Sequence, residues 1–186
     1  MGLMQGLVPG FFAAVLVQPF VFLCRVSLDV LLSWLGGATQ VAEGYVRFLK
    51  QMPMLSFYVI VVAAAFVLVL GVPSFVTLKR LNKLSWWSVS GVGFLAAAVP
   101  SAIYAWPLWV SPGFSAGGNW YGTYVEFVKN GVPTLFGWLS YVEGTFWFGV
   151  QGLFGATAFY WAWLKSHEPQ QGVPADRPRP AGSAGG

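Results

Sequence analysis

The chain has 186 residues, of which 56% are hydrophobic and 9% charged, and it carries a net charge of +4. Ordinary soluble domains use roughly 25% charged residues to cover themselves, so the expected solvent is lipid. Ten scattered basic residues form no basic stripe and exclude a nucleic-acid partner. The single cysteine, Cys24, and single histidine, His167, exclude an internal disulfide, a cysteine metal cluster and bis-histidine haem.

Leu7 to Leu35 is apolar but carries Gln18, Arg25, Asp29 and Ser33. At helical pitch these four fall within about 80° of one another. The same stripe continues through Gly36, Gln40, Glu43 and Arg47, which predicts one long helix with a kink at Gly36–Gly37. Two placements fit. The helix spans the membrane over residues 10–35 with Arg25 paired to Asp29 at i,i+4, or it lies in the interface with the stripe towards water. The stripe is narrow, which favours spanning. Arg25 and Asp29 also interrupt what would be the apolar region of a signal peptide, so an uncleaved N-terminus is expected.

Residues 57–78 form the clearest span, closed by Lys79 and Arg80, with Pro73 near its end. Residues 87–109 and 145–164 follow as uncharged runs, the second closed by Lys165. Trp86, Trp87, Trp106, Trp109, Trp161 and Trp163 flank these runs, where an aromatic belt belongs. The fold class expected is therefore an all-α integral membrane protein with about four transmembrane helices, making one membrane domain over residues 1–166.

The connection 110–143 is long. Trp120 to Lys129 and Thr134 to Val142 read as short surface helices, with Asn130-Gly131 as a turn between them. Residues 167–186 are rich in Pro, Gly and Ala without apolar periodicity and read as a disordered tail. Lys79, Arg80 and Lys83, together with Lys165, Arg177 and Arg179, put the second connection and the C-terminus in the cytoplasm under the positive-inside rule. The loop 110–143 is then extracytoplasmic. A bacterial inner (cytoplasmic) membrane is the expected location.

Membrane enzymes need convergent acids, bases or metal ligands, and here the charges within or beside spans are Arg25, Asp29 and Glu143. An arginine and a carboxylate one turn apart most simply neutralise each other, although any charge at that depth is a functional candidate. Gln151 reads as a hydrogen-bonding residue between helices. Small residues mark two packing faces, Gly93, Ala97 and Ser101 on one span and Gly149, Gly152 and Ala156 on another. Gly-rich phosphate loops, zinc-protease helices and nucleophile elbows are missing from the sequence. No catalysis, metal or cofactor is expected, while pigment, quinone or lipid binding stays open.

The leading functional expectation is a non-catalytic accessory subunit, assembly factor or interaction component of a larger membrane complex. Its partners would be the bilayer, other membrane subunits or further copies of itself. Gln18, Arg25, Asp29 and Ser33 would contact a partner or a neighbouring helix. Two alternatives stand beside it: a small oligomeric channel or transporter lined by the Arg25/Asp29 stripe, and a phage- or plasmid-type exclusion protein.

Overall fold

The computed structural model describes residues 2–36 and 41–166. The kink expected at Gly37, Gln40 of the stripe and the expected C-terminal tail lie outside the described residues. Five helices dominate: α1 (Gly2–Leu35), α2 (Val41–Phe66), α3 (Val72–Arg80), α4 (Trp86–Tyr104) and α5 (Leu135–Lys165). Three helical segments are long and apolar enough to cross a membrane: Gly6–Leu35, Tyr45–Arg80 and Trp86–Trp109.

Two expectations about the helices need correction. The first helix does not run on to Arg47. It ends at Leu35, and Arg47 belongs to α2, which packs back along α1 through a Ser27–Tyr45 hydroxyl contact of 3.0 Å and the Phe22–Phe48 pair. The stripe kept helical phase although α2 runs back along α1, and phase alone cannot reveal a break. The second run begins well before residue 57, because α2 continues through a π turn, Val67–Gly71, into α3 as one rod. Pro73 explains the π turn. It brings no N–H to the ladder, and Val72 N–H bonds Val67 O, five residues back.

The connection 110–143 also differs from expectation. Residues 120–129 are not helical. They belong to an antiparallel sheet ordered β1 (Ala116–Trp120), β2 (Thr123–Lys129), β3 (Val132–Pro133). Tyr121-Gly122 (φ 48° and 89°) and Asn130-Gly131 (φ 52° and 81°) are its two-residue turns. Positive φ at both central positions matches the twist of the flanking strands. Five of the seven residues of Thr123–Lys129 are aromatic or β-branched (Thr123, Tyr124, Val125, Phe127 and Val128), a composition that favours strand. The helix expected at Thr134 to Val142 is instead the first part of α5, capped by Thr134, whose hydroxyl accepts from Gly137 N–H.

α1 and α5 lie antiparallel over Gly10–Arg25 and Glu143–Phe159. Gly10 lies against Phe159, Gln18 reaches Gln151 and Arg25 reaches Glu143. α4 crosses α5 at glycine: a Cβ on Gly93 would stand 2.3 Å from Ala156 Cβ, and one on Gly152 would stand 2.2 Å from Gly93 O. Ala97 touches the same crossing, and Gly149 admits the Phe94 ring. Ser90 and Thr157 add a hydroxyl contact of 3.0 Å. Without a hydrophobic effect to separate helix from lipid, such close backbone approach is what holds helices together.

Substituting Gly93 by Val should therefore destabilise the protein by about 1–3 kcal/mol. Gly91, whose added Cβ would meet nothing within 4 Å, should accept Ala with little change. Thermal unfolding in detergent distinguishes the two; equal behaviour would show that the crossing is not tightly packed.

Candidate functional site

The polar residues of α1 face α5 and the sheet. The middle of α1 carries Pro19, which loosens the preceding turn. There Gln18 donates through Nε2 to Ala14 O and to Gln151 O, both at 3.2 Å. It passes directly over Gly155, where a Cβ would lie 2.5 Å from Nε2. Gln151 thus meets α1 through its backbone carbonyl.

Two turns further on, Arg25 sits at the centre of a cluster. Its Nη1 lies 2.7 Å from Asp29 Oδ1 and its Nη2 lies 2.5 Å from Glu143 Oε1. The guanidinium also stacks over the Trp147 ring at 4.6 Å. Glu143 in turn accepts from Tyr121 Oη and, at 3.1 Å, from Trp120 Nε1. One carboxylate therefore joins α1, α5 and the β1–β2 turn. Planar guanidinium suits this arrangement, because it presents several donors in fixed directions.

Tyr121 holds a left-handed backbone conformation in its turn, which costs a non-glycine residue energy that its surroundings must offset. Its bond to Glu143 supplies the offset. Burial raises the phenol above its ordinary range and donation to Glu143 raises it further, so it remains a proton donor. Beside it, Gly122 fits against the Ser33 and Gly36 carbonyls at the end of α1, and a Cβ on Gly36 would stand 2.5 Å from Tyr121 O. At the far side of the sheet, Thr134 N–H donates to Phe127 O at 2.9 Å and its hydroxyl donates to Glu126 O.

Gln18 and Arg25 thus meet α5, Asp29 pairs with Arg25 on α1 itself, and the Ser33 carbonyl borders the hairpin. The small residues Gly93, Ala97, Gly149, Gly152 and Ala156 meet at the α4–α5 crossing. Ser101 lies a turn beyond Ala97, next to the point where Tyr141 donates to Ala102 O at 3.1 Å. Sequence reasoning placed Glu143 only at a span boundary, and it missed Trp120, Tyr121 and Trp147 as its companions. The available signal was a lone carboxylate one turn from an unclosed aromatic loop. Among the described residues, no three His, Cys, Asp or Glu side chains converge as metal ligands would.

The long α2–α3 rod stands apart from the α4–α5 pair. α2 packs on α1, whereas the π turn and α3 reach α4. Between them lies a cavity of about 370 Å³.

Removing the arginine leaves Glu143 facing Asp29 without a cation. Arg25→Met should lower stability by about 1–3 kcal/mol, given that Arg25 and Glu143 are each about one-fifth exposed. Arg25→Met combined with Glu143→Gln should cost clearly less than the sum of the single changes. Strict additivity in detergent unfolding would mean that the two side chains are not coupled. Comparison with known protein families, with characterised proteins and with solved structures found no match for this chain.

Proposed function

We propose that this chain is a non-catalytic multi-pass membrane component that serves a larger assembly as an accessory or interaction subunit. The observation that supports this reading is where the polar stripe of α1 goes. Gln18 and Arg25 are both engaged by α5 of the same chain. The stripe therefore offers no open polar path, which weighs against the channel reading. It also offers no unengaged acid–base pair for catalysis. Its work in this proposal is to clamp a small sheet onto the end of a helical bundle.

In this reading α5 is a fourth crossing. It runs beside α1 from Glu143 to Phe159, and the 23 residues from Glu143 to Lys165 rise about 33 Å, close to a hydrocarbon core. Lys79 over the Trp163 ring and Lys165 over the Trp161 ring mark one boundary. The Arg25 cluster and the sheet mark the other. The basic end would face the cytoplasm of a bacterial cell and the sheet would face outward.

The sheet is the surface on offer. Among the described residues β1 has a neighbouring strand only on its β2 side, and an unpaired strand edge is a natural place for another chain to add. Tyr124 and Val132 stand exposed on the sheet. Purification from native membranes in mild detergent should yield the chain with a partner of defined stoichiometry or as a homo-oligomer. Tyr124→Lys with Val132→Lys should reduce that association about tenfold or more. A lone, stable monomer of the unaltered protein by size-exclusion with light scattering would overturn the proposal.

A further inference from the structure

The cavity between the α2–α3 rod and the other helices lies at mid-height of the bundle. Its walls include Val62 and Phe66 of α2, Leu70 and Gly71 of the π turn, and Ala96 of α4. Val62 and Phe66 are themselves exposed, so the cavity opens sideways, where lipid would lie. Its volume of about 370 Å³ falls in the range of small-molecule sites, roughly 300–1,000 Å³.

One polar group gives the cavity chemical direction. Gln18 is only 8% exposed and lines the cavity. Both hydrogens of its amide are committed, one to Ala14 O and one to Gln151 O. Those two bonds fix which way the amide points, and Oε1 has no donor among the described residues. An acceptor that lines a cavity with no partner of its own gains from a donor brought to it, more so at a depth where neither water nor lipid headgroups reach. Gln18 contacts α5 midway between Glu143 and Lys165, so it sits at that depth. Ser74 of α3 brings a hydroxyl to the same lining. The π turn in the wall is a second mark, because such turns recur at functional sites.

We infer that this cavity binds a long apolar molecule carrying a hydroxyl group, whose O–H donates to Gln18 Oε1. A molecule whose only polar atom is a carbonyl or ether oxygen finds no donor on Gln18. A phospholipid keeps its headgroup at the interface and can offer this depth only hydrocarbon. The chemistry is shared by fatty alcohols, hydroxylated polycyclic lipids and reduced quinones. This site is independent of the partner-binding role proposed above.

The test uses the full chain in detergent micelles doped with 1-octadecanol or with octadecyl methyl ether, read by native mass spectrometry. The alcohol should bind saturably, one per chain, with about tenfold preference over the ether, the worth of one buried hydrogen bond. Gln18→Met should bring the two probes to parity, and Ala96→Phe should reduce binding of both by filling the cavity. Equal binding of alcohol and ether to the unaltered protein would overturn the inference without recourse to any variant. Preference that survives Gln18→Met, or binding that survives Ala96→Phe, would overturn it as well.

Discussion

Glu143 meets Arg25 at 2.5 Å while also accepting from Trp120 and Tyr121. The rest of the architecture follows from the need to satisfy that arginine. A cation on an apolar helix must find a counter-charge inside the protein. Asp29, one turn away, supplies the first partner without constraining anything beyond α1. Glu143 supplies the second only if α5 lies antiparallel to α1 at a fixed height. That height brings Gln18 opposite Gln151 and Gly10 against Phe159, so one contact sets the register of the longest helix pair. Because the same carboxylate also holds the hairpin, the register of the bundle and the seat of the sheet are set together.

The α4–α5 contact, which involves no charge, uses a different device. α4 meets α5 through glycine backbone, with Gly93 and Gly152 each occupying space that any side chain would need. Polar matching positions α5 on one flank and shape positions it on the other. The long α2–α3 rod has neither device along its α2 part and leans mainly on α1, which is why a cavity remains on that side.

The membrane class and two of the three strongly apolar helices, over 57–78 and 87–109, were legible in the sequence, because hydropathy over about 20 residues is a property of composition and length, whereas the sequence leaves the N-terminal helix open between spanning and lying in the interface. α5 was legible as an apolar run, but its many aromatic and glycine residues leave it outside the set that hydropathy marks in the structure. The stripe on α1 was legible as far as Ser33 and misleading beyond it, since the residues after the chain reversal happened to share its phase. The sheet was not read at all. Asn130-Gly131 announced a turn, but Tyr121-Gly122 did not, because tyrosine at a left-handed position is recognisable only once Glu143 is seen to hold it. The partnership of Arg25 with Glu143 spans 118 residues of chain and has no local trace.

The π turn at Val67–Gly71 has one more consequence, which concerns chain length. A π turn holds one residue more than the α turn it replaces, so the rod is wound as though a single residue had been inserted. Deleting one residue there would restore regular pitch and rotate everything from Val72 onward by about 100° about the helix axis. Phe75 would leave its place against Phe159 and Trp163, and Lys79 would swing away from the Trp163 ring. The α2 half would keep its contacts with α1. Relatives of this chain that lack that residue would therefore need a different α3 face, with the large aromatic one position away from where Phe75 stands.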